Sequence, residues 1–449
     1  MKTNGFENTC RLEMVAYPKT VALDRVAVHS SPRFKMRFFR SFVIGAVLLL
    51  RVFGQERPAA AALRLSTDFP GGSAIVRQLD SATATVRILP NSPPDRGWAA
   101  WWYFKLEGLS PGTLVTVEVD GRGYALPDCA QFSYDNQTWT QSAPGERRPG
   151  AIVYHHRTDA PVLWFAWGPP FVLRDAHELI AAVTRDRPYA KAFVLAQTQG
   201  GRPVPAVQIV APAHAITPRP VVWIQARQHA WETGGSWVCR GFLEWLLSPD
   251  PVATGLRERA EIYAVPIMDV DDVERGFGGK NQQPHDQEWD WSATPVFPEV
   301  RAAMAKLAEL DRNGQLAMYL DLHNPNLNDR EIMFYVPAQP LLTPVRVRTQ
   351  DAFLQIVQKE TAGPAGFVGK LGPIGATYDP AIDTAGECWI AQHCRLETIS
   401  LVMEVPWNVP TGTQAGYRRI GEQLGRAIER FLREREAQPG VSPKTHPKP

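Results

Sequence analysis

Four residues in this chain have the types and the setting to hold a metal and move a proton. His229 and Glu232 stand three apart in Gln225-Ala-Arg-Gln-His229-Ala-Trp-Glu232-Thr233. An imidazole nitrogen and a carboxylate oxygen at that spacing can turn toward one cation, and both are ordinary zinc donors. Alone, His-x-x-Glu is a cheap pattern, and the chain holds a second copy at His285 and Glu288. Setting separates the two. The first pair follows the apolar run Val221-Val-Trp-Ile224 and precedes Trp237, Val238, Phe242, Trp245 and Leu246, spaced as one face of a helix. It therefore falls where a buried strand ends and a helix begins, the place where open α/β sheets put their chemistry. A catalytic zinc takes three protein ligands and keeps one position open. His323 closes the run Tyr319-Leu-Asp-Leu-His323, the matching strand-end position, and is the third candidate. Glu404 closes another apolar run, Ser400-Leu-Val-Met-Glu404. A carboxylate buried there is costly unless something uses it, and burial moves its pKa toward the range of a general base. The competing reading of Glu404 is a strand-end carboxylate paired with a lysine or arginine.

The frame around these residues follows from periodicity. After Phe165, strand-like runs (193–196, 206–210, 221–224, 262–268, 316–322, 332–336 and 399–405) alternate with helical patterns at 173–184, 236–247, 299–310 and 415–435. That alternation means an α/β domain with a mostly parallel or mixed sheet. From Leu65 to Gly150 the pattern is different: short alternating strands between turn residues, the signature of a small antiparallel sandwich or barrel. Ser142 to Gly150 reads as a linker. The expected division is a leader over 1–62, a β-sheet domain over 63–150, an α/β domain over 151–435 and a Pro-rich disordered tail over 436–449.

Composition excludes several classes. The 449 residues are 44% hydrophobic and 21% charged, which suits a soluble globular protein with a full core. A formal net charge of +2 gives no electrostatic case for nucleic acid or an anionic membrane surface. Five cysteines are too few for a disulfide scaffold; Cys388 and Cys394 are near enough to pair in an oxidising compartment, or to stay as buried thiols. Arg37 and Arg40, the apolar stretch Phe42 to Leu50 and the alanines Ala59 to Ala62 read as a secretory signal beginning at Met36. That apolar stretch is too short to span a bilayer. A secreted or periplasmic location follows; the alternative is an uncleaved anchor or a disordered start, with a cytoplasmic location.

Taken together, Ala226-Arg-Gln-His-Ala-Trp-Glu-Thr233, Asp321-Leu-His-Asn-Pro325 and Leu401-Val-Met-Glu-Val-Pro-Trp407 resemble the zinc metallocarboxypeptidases of the carboxypeptidase A type. The branch they resemble most is the cytosolic-carboxypeptidase-like one, over about residues 65–432. The resemblance implies an N-terminal antiparallel β-sandwich followed by an α/β/α domain with a mixed sheet. It implies one zinc ion on His229, Glu232 and His323, with Glu404 as general base and acid in hydrolysis near a free C-terminus. The family's further run, Asp-x-Asn-Arg and then Trp, holds the terminal carboxylate through its Asn and Arg. Here the matching stretch is Pro284-His-Asp286-Gln-Glu288-Trp289-Asp-Trp291. Asp286 and Trp291 keep their places, and Asp286 would orient His229.

Glu288 and Trp289 occupy the Asn and Arg positions. A carboxylate cannot pair with a carboxylate, and tryptophan lacks the guanidinium fork. Three expectations follow: another cation, Lys280 or Arg275, holds the C-terminus; or the substrate presents a basic or neutral group, an amine suiting Glu288; or metal is kept without carboxypeptidase activity. Arg227 is a candidate for carbonyl or oxyanion support, with a structural salt bridge as the other reading. Tyr378 is the candidate for the family's substrate-side tyrosine. Two functions remain: zinc-dependent hydrolysis of peptide or amide bonds with altered C-terminal recognition, or a non-catalytic protein that binds peptides or cell-wall fragments. Glu404 separates them, because a pure binder has no need of a base.

Overall fold

The computed structural model describes residues 62–91, 99–211, 219–280, 282–373 and 382–437. The signal-like stretch from Met36, Tyr378 and the end of the chain after residue 437 lie outside them. Eight strands make the main sheet: β1 (Ala190–Gln197), β2 (Pro203–Ile209), β3 (Val221–Ala226), β4 (Glu261–Val265), β5 (Leu316–His323), β6 (Ile332–Val336), β7 (Phe367–Pro373) and β8 (Ile399–Glu404). Their order is β1-β2-β4-β3-β5-β8-β6-β7. The central β4-β3-β5-β8 are parallel, while β1 with β2, β2 with β4, and β8 with β6 are antiparallel, so the sheet is mixed.

Every residue of β3 and of β8 is buried. Strands covered on both faces read as unbroken apolar runs, and these did. The chain leaves β3 for β4 on one side and later fills β5 on the other, which makes the β3/β5 boundary a topological switch point. Register then aligns the strand ends: Ala226 lies beside Leu322 and His323 beside Glu404.

Over this sheet the helices Thr233–Leu246 and Gln414–Glu436 cross at glycines. A Cβ on Gly421 would sit 2.1 Å from the Val238 carbonyl oxygen, and one on Gly241 2.2 Å from that of Arg418. Backbone blocks backbone here, so no side chain can move aside. Gly421→Ala is therefore expected to cost about 1–3 kcal/mol in urea unfolding, through forced separation of the helices.

The N-terminal region forms two five-stranded sheets. Trp102, Phe104, Val117 and Phe165 fill a core that also takes in Trp231 and Trp407 from the α/β region. The Trp167 ring lies 4.3 Å from that of Trp407 and 5.2 Å, edge to face, from that of Trp231. Aromatic packing thus ties these sheets to the turn that carries His229 and Glu232.

Two expectations need correction. Thr85–Leu89 pairs with Leu114–Asp120 in parallel, so the region is not wholly antiparallel. The strand between them, Tyr103–Glu107, belongs to the other sheet, and the chain returns in the direction it left. Alternation in sequence gives faces, not partners. The stretch 142–150 is a hairpin rather than a linker, since Glu146–Arg148 pairs with Ala151–Arg157. Cys388 and Cys394 are free and buried. Among the described residues no helix is long and apolar enough to cross a membrane.

Candidate active site

Beyond β3 the backbone turns sharply, with Arg227 in the left-handed region at φ 66°. Its buried guanidinium donates to the carbonyls of Phe171 (3.1 Å) and Ala230 and to the Ser236 hydroxyl (3.4 Å). Burial pushes its pKa down to about 9. These bonds commit Arg227 to the shape of the turn that presents His229 and Glu232.

At that turn two imidazoles meet one carboxylate. His229 Nδ1 lies 2.9 Å from Glu232 Oε1, and His323 Nδ1 lies 2.9 Å from Glu232 Oε2. The two rings are 4.9 Å apart at 72°, and all three side chains are buried. Behind each ring stands another carboxylate. His229 Nε2 is 3.3 Å from Asp286 Oδ1 and 3.4 Å from Glu288 Oε2; His323 Nε2 is 3.3 Å from Asp321 Oδ1. Asp321 is itself held by Gln225 (2.8 Å), Gln228 (2.6 Å) and the Tyr319 hydroxyl (3.0 Å).

This arrangement decides whether a metal fits. A ring whose Nε2 faces a carboxylate keeps its proton there and turns a lone pair outward at Nδ1. Both Nδ1 lone pairs then confront the oxygens of Glu232, acceptor against acceptor, which is reconciled by a metal cation between them or by a second proton on each ring. Two imidazole nitrogens and one carboxylate are the donor set of a catalytic zinc, and the ligand atoms lie within 4.8 Å of one another. The residues fit the ion.

Glu404 stands beside His323 in register, and its Oε2 is buried with no hydrogen-bond partner among the described residues. Burial, with help from Glu232 and Glu288 and against His323, pushes its carboxyl up to about 8. A cation held by its neighbours would draw it back toward the charged form.

Lys280 and Arg275 lie in different places. Lys280 Nζ bonds Asp286 Oδ2 at 3.0 Å and Glu288 Oε2 at 3.3 Å, and sits 5.6 Å from the Trp289 ring centroid. Burial opposes charge on Glu288, yet Lys280 and the imidazoles hold its carboxyl at about 2. Glu288 therefore already has an ammonium partner from its own chain. Arg275 pairs with Asp272 at 3.3 Å and is half exposed. The second His-x-x-Glu splits, His285 Nε2 turning to Asp290 Oδ1 at 2.8 Å.

Cavity size alone would mislead. A groove of about 400 Å³, lined by residues such as Tyr103, Trp139 and Trp237, contains none of these groups. A second cavity, of about 180 Å³, is lined by Asp269, Asp272 and Glu299. Burial pushes Glu299 up to about 7, although Gln287 donates to it at 2.6 Å. An acid whose pKa is raised by folding stabilises fully below its unfolded value and loses that contribution as pH rises through the folded one. Stability should therefore fall by about 2 kcal/mol between pH 5 and pH 8 through this group, and Glu299→Gln should flatten the fall in urea unfolding.

Asp321 and Gln228, which bond each other behind His323, were not among the residues expected from sequence. For Asp321 a signal existed, because positions two apart on β5 share a face and so Asp321 lies with His323.

Comparison with known proteins follows this geometry. The zinc carboxypeptidase family model matches residues 177–290. Cytosolic carboxypeptidase 2 of Danio rerio is 25% identical over 267 residues, covering 52% of this chain and 37% of that protein. Cytosolic carboxypeptidase 1 of Homo sapiens is 28% identical over 198 residues, covering 41% of this chain and 16% of that one. The chain thus spans well under half the length of these two relatives. Among solved structures, a metallo-carboxypeptidase from Burkholderia cenocepacia superposes with a TM-score of 0.72 at 21% identity, over 83% of this chain and 100% of the other. Family model and fold point the same way: residues 177–290 match the zinc carboxypeptidase model, and the chain shares its fold with a solved metallo-carboxypeptidase.

Proposed function

We propose that this protein is a zinc-dependent hydrolase of peptide or amide bonds, with terminal recognition unlike that of a carboxylate-clamping carboxypeptidase. The observation that carries the reading is the convergence of two buried imidazole Nδ1 atoms on Glu232, with Glu404 beside them. Bound zinc supplies an electrophile for the scissile carbonyl and lowers the pKa of a water. His229, Glu232 and His323 hold the ion, and Asp286 and Asp321 fix the two rings. Glu404 takes the proton of the attacking water at its carboxylate and returns it to the leaving nitrogen. Lys280 keeps Asp286 and Glu288 in place.

Glu288 and Trp289 stand where a carboxylate clamp was expected, and neither binds an anion. This supports a substrate end read by some other group. The two N-terminal sheets, read as a sandwich, brace the metal turn through Trp231 and Trp407, and the signal-like pattern from Met36 supports export. The reading is tested on a peptide library with acidic, basic, neutral and amidated ends. Hydrolysis should vanish with a chelator and return with zinc; an inert protein across all ends in the presence of zinc would favour a binding protein on the same scaffold.

A further inference from the structure

The cavity of about 180 Å³ gathers more acid than its surroundings neutralise. Asp269, Asp271, Asp272 and Glu299 line it. The first three stand at the start of the helix Val270–Arg275, and Glu299 in the first turn of the helix Pro298–Arg312. Arg202 pairs with Asp271 at 2.7 Å, and Arg275 with Asp272 Oδ1 at 3.3 Å. Four carboxylates against two guanidiniums leave two negative charges when all are ionised. That is the charge of one divalent cation.

Two of these acids also carry an oxygen with nothing to bond. Asp272 and Glu299 are each 3% exposed, and neither Asp272 Oδ2 nor Glu299 Oε2 has a hydrogen-bond partner among the described residues. Their other oxygens are engaged, Asp272 Oδ1 by Arg275 and Glu299 Oε1 by Gln287 at 2.6 Å. Asp269 accepts the Asp272 amide at 3.0 Å and the Gln282 side chain at 2.8 Å. Burying a charged acceptor without a partner is costly. Burial pushes the carboxyls of Asp269, Asp272 and Glu299 up, and the charge of Asp272 adds to the effect on Asp269. A cation among them would return them to the charged form.

Donor chemistry selects the ion. The acids here, with the amides of Gln199 and Gln282, offer oxygen, and the described lining holds neither histidine nor cysteine. Such a set suits a hard cation and not zinc. Its carboxylates are not among the groups whose ligand atoms all lie within 4.8 Å of one another, so water must complete the shell, and the cavity has room for it. Magnesium gives up its own water reluctantly and demands a near-ideal octahedron. Calcium takes six to eight oxygens at about 2.3–2.6 Å in flexible geometry. Direct contact with two bare buried oxygens therefore favours calcium.

We propose that this cavity is a calcium site, with Asp272 Oδ2 and Glu299 Oε2 as direct ligands and Asp269 and water completing the shell. The site is separate from the zinc ligands but joined to their turn. Gln282 donates at 2.8 Å both to Asp269 Oδ2 and to the carbonyl of Gln228, the residue before His229. Calcium thus anchors the segment that runs beside the zinc turn, and its contribution is to stability.

The test is calorimetry of the zinc-loaded full chain with calcium chloride and, in parallel, magnesium chloride, followed by urea unfolding with and without calcium. One calcium ion per chain should bind with a Kd of about 10⁻⁴–10⁻³ M, and magnesium at least about tenfold more weakly. At about 10 mM calcium the folding equilibrium constant should rise by about 10–100-fold, as mass action at that Kd requires. Asp272→Asn combined with Glu299→Gln should weaken calcium by at least about tenfold and remove the shift in urea midpoint. Without calcium the same double variant should unfold at a urea concentration no lower than the unaltered protein, because like charges have been removed. If the pair does not fold, Glu299→Gln alone carries the comparison and should weaken calcium by about tenfold. No binding at about 10 mM calcium, binding that the substitutions leave unchanged, or magnesium as tight as calcium would each overturn the proposal. Heat and unfolding are the readouts, so the result stands whether or not any peptide is cleaved.

Discussion

Glu404→Gln is expected to lower kcat by about 10²–10⁴-fold, the range of positioned general acid–base catalysis. The amide keeps the size of the side chain and its place beside His323 but can take no proton from water. Zinc content should stay at that of the unaltered protein, because Glu404 lies next to the ligand set and is not part of it. Rate and metal are measured on the same preparation. A variant that retained the wild-type rate would remove Glu404 from the chemistry.

His323→Ala carries the second large effect. It deletes one of three donors and leaves Glu232 facing a single imidazole, so the variant should lose zinc during dialysis against a mild chelator. Metal analysis should find well under one tenth of an ion per chain on this expectation, set against full retention at three donors. Asp321→Asn gives the graded comparison. It removes the carboxylate 3.3 Å behind His323 and leaves every ligand in place, so affinity should weaken by about 10–100-fold. Equal loss in the two variants would mean that His323 does not bind the ion directly.

Much of this site was legible because the central strands are covered on both faces. Continuous apolar runs ending abruptly in polar residues marked β3, β5 and β8, and parallel pairing brings three such ends side by side. What sequence could not supply was the destination of each polar side chain. Arg227 is fixed by the carbonyl of Phe171, 56 residues earlier, and no local pattern announces that bond. Lys280 was a plausible anion binder until the fold set two carboxylates against it. The helix Pro344–Glu360 was overlooked although Thr343 and Pro344 form a proper start, the threonine side chain accepting the Arg346 amide. Its inward face includes Arg346 and Gln350, which break the apolar period.

The most direct measurement is an anomalous difference map collected at the zinc absorption edge from crystals of the full chain grown with zinc. A single peak about 2.0–2.2 Å from His229 Nδ1, His323 Nδ1 and a Glu232 oxygen is the predicted result. A map with no peak among these three side chains, or with the ion held by other residues, would contradict it.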